Sequence, residues 1–386
     1  MENILLGSIF AFVITFYAIP VIIQVSNMKK LFDIPSERKI HEDPIPSLGG
    51  LGIFAGFMVG LLLMADLTNA EAAATFQYYL TACMVIFFFG IKDDILILTP
   101  FKKFLGQLAV AIILIFKANL VITSMHGFLG IGMIDYTMGC CLSFFTIIVV
   151  INAFNLIDGV DGLAGSMGIV TSSFFAFFGL MSGEYYYALI GFTFAASLGA
   201  FLIYNYTPAR IFMGDTGAML IGVVNAILVI HFINMAENTK ILPVLASPAM
   251  GFGVLLLPLL DTLRVFAIRI LHGRSPFSPD RNHLHHLLLD RGLSHMSITV
   301  ILSAFAILII FITYFLLPIG TTKVILLQLV GFFGVVGFLQ YGKPRKSKKL
   351  KVIKGNKLDE SGAGIKAAYR NLGVFGNGDA LNIDKE

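Results

Sequence analysis

Two carboxylates, Asp158 and Asp161, stand three residues apart in NAFNLIDGVDGLAG (152–165), with strongly apolar sequence on either side. Acids beside lipid-soluble segments are costly to place and mark functional sites. Asn152, Asn155 and Asp158 recur at intervals of three, with Asp161 one step further. On a helix this spacing projects two amides and two carboxylates along one face. A second acidic pair, Asp93-Asp94, occurs in IKDDILILTPFKKFLGQ (91–107). Adjacent carboxylates repel, so one gains proton affinity unless a cation sits between them; such a pair suits a base or a metal site. Its plainer reading is an interfacial charge patch balanced by Lys92, Lys102 and Lys103. A further acid, Asp215, lies in the turn GDTG ahead of an apolar run. A carboxylate there suits a divalent cation, and the helix N-terminus can hold phosphate. Phe212 beside it is either core packing or a stacking platform for a base.

Five of the eight histidines fall between His272 and His295, and His283, His285 and His286 form the dense part. A histidine cluster first suggests zinc. Yet His285 and His286 are neighbours whose side chains point apart, no cysteine is near, and Arg274, Arg281 and Arg291 surround them. An anion such as phosphate fits that company better than zinc. In ERKIHEDPIPSLGG (37–50), Arg38, Lys39 and His41 are further phosphate candidates, or simply the basic flank of a turn broken by Pro44 and Pro46. Acids and bases gathered on one face, without a pore, point to a divalent cation clamping a diphosphate.

What must position these groups is a membrane-embedded scaffold. The 386 residues are 57% hydrophobic and 13% charged, with a mean hydropathy of +0.86; soluble domains carry about 25% charged residues. Apolar runs of spanning length recur along the chain. They predict an all-α polytopic membrane protein of about eleven spans, near 4–25, 48–65, 78–91, 105–122, 139–155, 164–181, 186–204, 218–235, 243–265, 298–317 and 323–341. The N-terminus is expected outside and the C-terminus in the cytoplasm. All but three of the 27 Lys and Arg residues, Lys117, Lys240 and Lys323, then fall on the inner side, as the positive-inside rule requires. Residues 1–341 are expected to form the catalytic membrane domain. Residues 342–386 are expected to form a tail, basic and then polar, whose start reads first as a solvated positive-inside flank and otherwise as a segment lying against anionic lipid. The three cysteines fall in apolar runs and give neither a disulfide framework nor a metal spacing. A secondary transporter of an anionic solute is the rival class, but it needs polar groups at mid-membrane in broken helices. Asp158-x-x-Asp161-Gly162 also matches the first half of the CDP-alcohol phosphotransferase motif, whose second half is missing here.

Asp93-Asp94, NAFNLIDGVDGLAG, PARIFMGDTG and DRNHLHHLLLDRGLSH, in this order and on one expected side, resemble the polyprenyl-phosphate N-acetylhexosamine-1-phosphate transferases. That superfamily includes the enzymes initiating enterobacterial-antigen and teichoic-acid synthesis, and the peptidoglycan translocase, a phospho-MurNAc-pentapeptide transferase. The resemblance covers about the first 340 residues, and the H-x-H-H form is closer to the GlcNAc-1-phosphate branch than to the translocase. It implies transfer of a HexNAc-1-phosphate from a UDP-N-acetylhexosamine to undecaprenyl phosphate, with Mg²⁺ (alternatively Mn²⁺), at the cytoplasmic face of a bacterial inner membrane. A homodimer fits the family; nucleic acid does not. By motif match Asp215 and Asp158 bind the metal, and Asp161 lines the same centre. Asp93, with Asp94 alongside, deprotonates or orients the lipid phosphate, while Lys103 holds phosphate. Asn205 and Phe212 bond and stack uracil. Asn152, Asn155, Arg281, His283, His285 and His286 bind substrate. Phe101 stands where relatives often carry arginine, and the identity of the sugar stays open.

Overall fold

In lipid, each backbone N–H and C=O must be satisfied within its own segment, so the apolar runs become helices. The computed structural model describes residues 1–29, 31, 45–68, 70–235, 248–275 and 282–341. The expectations placed on Arg38, Lys39, His41, Arg281 and the tail 342–386 lie outside the described residues. Helices α1 (Glu2–Lys29), α2 (Gly49–Met64), α3 (Ala70–Leu96) and α4 (Pro100–Ile112) come first. Helices α5 (Tyr136–Ile157), α6 (Leu163–Met181), α7 (Tyr185–Asn205) and α8 (Gly214–Met235) follow. Then come α9 (Pro248–Val254), α10 (Leu256–Leu271), α11 (Leu284–Leu289), α12 (His295–Leu316) and α13 (Thr321–Tyr341). Local chemistry starts several of them. Pro100 opens α4, where its missing N–H costs nothing. The Asp135 side chain accepts from Met138 N at 3.1 Å to cap α5, and Ser294 accepts from Ser297 N at 3.2 Å to cap α12.

The polytopic helical architecture holds, but the count of eleven single spans does not. Among the described residues, eight helices are long and apolar enough to cross a membrane. The run expected at 48–65 is a helix of 16 residues. The one at 105–122 is α4 continued by a π-helical turn, Ile113–Lys117, and the one at 243–265 contains α9 and the start of α10. The protein is also not purely helical. Ser124–Phe128 and Ile131–Met133 pair as an antiparallel hairpin, β1 and β2. Leu129 (φ 54°) and Gly130 (φ 78°) at its tip supply the two positive φ values that a tight twisted hairpin needs. Leu129 N donates to Thr322 Oγ1 at 2.8 Å, tying the hairpin to the start of α13. The other end of α13 is tied down differently: Arg291 donates to Leu339 O at 2.9 Å.

Helix α8 is the axis of the bundle. Of its most apolar stretch 94% is buried, against 22% for α1 and for α13, and a helix that is apolar all round belongs inside. It packs against α2, α3, α5 and α6. Small residues permit this close approach: Cβ atoms added at Gly50, Gly90 and Gly222 would meet the backbones of Gly217, Thr216 and Ile151 at 2.3, 2.4 and 2.4 Å. The buried Asn225 amide is satisfied by Ser172 Oγ at 3.2 Å and Ile221 O at 3.0 Å. The N-terminus of α8 therefore emerges, in a fixed position, among the ends of its neighbours.

Candidate active site at one end of the bundle

The start of α8 is built around Asp94. Its carboxylate accepts from Asp215 N at 2.7 Å, Thr216 N at 3.1 Å and Thr216 Oγ1 at 2.5 Å. It thus satisfies N–H groups that a helix start leaves open and complements the positive end of the helix dipole. Gly214 is required beside it. Its φ is +73°, and a Cβ there would lie 2.1 Å from Ser47 O and 2.6 Å from the Asp94 carboxylate. Asp94 is therefore the anchor of α8, and the expected partnership with Asp93 is not observed. Asp93, 4% exposed, accepts from Leu98 N at 2.6 Å and pairs with Lys103.

Lys103 also reaches Asp215 Oδ2 at 3.0 Å, and Asn155 donates to Asp215 Oδ1. Four elements, the ends of α3 and α5 and the starts of α4 and α8, thus meet at one charged cluster. Lys103, expected to hold phosphate, already bridges two acids with its ammonium. Asp158 caps α5 just beyond Ile157. Burial, with the charges of Asp215, Asp94 and Asp161 adding, pushes its carboxyl up to about 7.

At three positions the structure shows partners that the sequence did not reveal. The ladder on α5 stops at Asp158, because the helix ends at Ile157 and the chain turns before α6. Asp161 consequently leaves that face: its carboxylate meets His295 Nδ1 at 3.1 Å and accepts from Thr207 Oγ1 at 3.3 Å. Asn152 is engaged by Gln107, donating to its Oε1 at 2.8 Å, and by Ile148 O at 2.8 Å. Asn205 spends both ends of its amide on backbone, accepting from Gly162 N and donating to Ile211 O, each at 2.8 Å. It braces the turn before Phe212 rather than offering free groups to a base. Phe212 is half-buried and held by backbone bonds to Pro46 and Gly49.

Beside the charged cluster lies a cavity of about 370 Å³, with Lys103, Gln107, Asn152 and Asn155 on its lining and Arg269, His283, His285 and His286 completing the polar part. Lys103 and Asn155 both line it and both hold Asp215, so cavity and acid cluster are continuous. Asn205 and Phe212 do not line it. Burial, reinforced by the charge of His286, pushes the His285 imidazole down to about 3, so His285 is an uncharged hydrogen-bonding group at neutral pH. Two contributors escaped the sequence reading. Gln107 had no acidic or basic signature to reveal it. Asp261 did carry a signal, as a lone acid in an apolar run with Arg264 three residues on.

The metal-ligating atoms near Asp215 are carboxylate oxygens, which suit Mg²⁺ or Mn²⁺ rather than zinc. Among the described residues no three His, Cys, Asp or Glu side chains converge as a ready-made cage. Mg²⁺ is commonly held by one or two carboxylates, with water and substrate phosphates completing its shell, and a cationic group already bridges Asp215 and Asp93. The residues fit a cation that arrives with a phosphate.

A family model described as glycosyl transferase family 4 matches residues 76–233, which include the acids and Lys103 but not the histidine segment. The decaprenyl-phosphate N-acetylglucosaminephosphotransferase of Mycobacterium leprae is 31% identical over 78% of this chain and 81% of its own length. A probable undecaprenyl-phosphate N-acetylglucosaminyl 1-phosphate transferase of Bacillus subtilis is 32% identical over 73% and 76%. The undecaprenyl-phosphate alpha-N-acetylglucosaminyl 1-phosphate transferase of Escherichia coli K12 is 30% identical over 74% and 76%.

Proposed function

Since the chain belongs to glycosyl transferase family 4, we propose that it transfers N-acetylglucosamine 1-phosphate from UDP-GlcNAc to undecaprenyl phosphate and so initiates a cell-envelope polysaccharide. One oxygen of the lipid phosphate attacks the β-phosphorus of the nucleotide sugar. The bond from that phosphorus to the bridging oxygen breaks, UMP leaves, and the product is undecaprenyl-diphosphate-GlcNAc. The observation that carries this reading is the meeting of Asp215, Lys103 and Asn155 beside a polar cavity. Phosphoryl transfer needs positioning and charge neutralisation more than covalent chemistry, and this cluster supplies both.

Asp215 and Asp158 would hold Mg²⁺, which when bound neutralises diphosphate charge and stabilises the leaving UMP. Asp93 holds Lys103 by its ammonium, so that the lysine side chain enters the cavity from a fixed direction. Asn155 keeps Asp215 oriented through a charge-assisted hydrogen bond. Uncharged His285 suits a sugar hydroxyl, and Arg269 and His286 also line the cavity. The reading places the site at the cytoplasmic face of the bacterial inner membrane, on the strength of the charge bias in the connections.

The test is transfer of labelled sugar phosphate from UDP-GlcNAc to undecaprenyl phosphate by purified protein. A lipid-linked product is expected with Mg²⁺ and none with EDTA. A panel of other UDP-HexNAc donors fixes the sugar. No product from any donor, by protein shown to be folded, overturns the reading. A finer expectation concerns Gly159, where a Cβ would lie 2.5 Å from His285 Nε2. Gly159→Ala should displace that buried ring and raise KM for the nucleotide sugar about 10- to 100-fold. Unchanged KM would mean that His285 does not contact the donor.

A further inference from the structure

Asp261 lies on α10, and its carboxylate is 2% exposed. Three groups converge on it. His283 Nδ1 is at 2.9 Å, Leu284 N donates at 3.0 Å, and Arg264 Nη2 donates at 2.9 Å. Arg264 also donates to Asn282 O. Asp261 and Arg264 together staple residues 282–284 to α10, across a sequence separation of about twenty residues. They do so at the point where the histidine segment enters the cavity.

The ring of His283 has two nitrogens with different fates. Nδ1 faces Asp261. Nε2, on the far side of the ring, is buried and has no partner among the described residues, while His283 itself lines the cavity. A carboxylate can only accept, so in a neutral imidazole the hydrogen must sit on Nδ1. Arg264 takes the other carboxylate oxygen, Oδ1, which leaves Oδ2 to accept from Nδ1. Nε2 is then left with a lone pair that no described residue satisfies, on a ring that lines the cavity.

We propose that Asp261 is a positioning residue for the donor sugar. It fixes His283 as the Nδ1–H tautomer, so that Nε2 accepts a hydrogen bond from a hydroxyl or amide N–H of the bound sugar. This rests on the transferase reading above and adds to it a division of labour. The cluster around Asp215 takes the diphosphate, and the pair Asp261–His283 reads the sugar. Its consequence is selective: the pair contributes to binding a UDP-sugar and contributes nothing to binding UDP.

The experiment combines a spectroscopic and a kinetic readout on the full chain. With ¹⁵N-labelled histidine, wild-type His283 is expected to show a protonated Nδ1 and an unprotonated Nε2; D261N should lose that pattern. H283Q provides the assignment. In transfer assays D261N should raise KM for UDP-GlcNAc about 10- to 100-fold, with a smaller change in kcat. The inhibition constant of UDP should stay within about twofold. The double variant D261N/H283Q should be no worse than H283Q alone, because Asp261 acts through His283. A wild-type Nε2–H tautomer, an equal weakening of UDP, or additive losses in the double variant would each overturn the proposal. If D261N fails to fold, the wild-type tautomer and the UDP-against-UDP-GlcNAc comparison in H283Q still decide it. Absence of any product from wild-type protein would instead overturn the transferase reading and leave the tautomer result standing.

Discussion

Asp215→Asn is expected to abolish transfer while leaving the protein folded. The substitution keeps shape and size and removes only the charge. The three hydrogen bonds that anchor the start of α8 run from Asp94 to the backbone of residue 215 and to Thr216, so the helix start survives. Asn155 can still bond to the amide oxygen. What is lost is the carboxylate that faces Lys103 and would take the cation. Removing a site for a divalent ion at a transferring phosphate costs several kcal/mol of transition-state stabilisation; about 4 kcal/mol is about 10³-fold in kcat. Thermal unfolding in detergent should shift by only a few degrees. Activity within about tenfold of wild type would exclude Asp215 as a cation ligand.

Gly90→Ala should produce a large loss of folded protein for a single-methyl change. In a solvated helix this substitution gains about 1 kcal/mol from propensity. Here the added carbon would lie 2.4 Å from Thr216 Cα and 2.9 Å from Thr216 N, and backbone cannot swing aside as a side chain can. Helix α3 must then separate from α8, the most buried helix of the bundle. Overpacking of this kind costs about 1–3 kcal/mol. Gly90 also lies one turn before Asp94, so the separation would pull Asp94 off the start of α8. The matched control is Gly199→Ala on α7, where nothing lies within 4 Å of the added carbon; it should be neutral or slightly stabilising. Comparable folded yields and melting temperatures for the two variants would contradict the packing argument.

The sequence by itself determined the polytopic helical character, because a run of apolar side chains long enough for a bilayer has one stable backbone solution, but not the number of spans. It also marked where chemistry is to be expected, since acids are costly beside lipid. The order of Asp93-Asp94, the 152–165 stretch, the GDTG turn and the histidine segment was legible for that reason. The hairpin was not, for strands of five and three residues carry too little alternation to be read. Nor were the separate tasks of the acids. Asp93 and Asp94 are neighbours in sequence, yet one holds a lysine and the other anchors a helix 121 residues away. Asp161 continues the spacing of Asn155 and Asp158, yet it faces His295 because α5 ends first. Asn205 and Asn152 look alike as polar residues at helix ends, yet one braces backbone and the other pairs with Gln107. In each case the deciding quantity is the partner, and partners are brought from distant segments by packing around α8. Residue type and spacing establish what a side chain can do; only the tertiary structure decides which neighbour it does it with, because a hydrogen bond or ion pair reaches only about 3–4 Å.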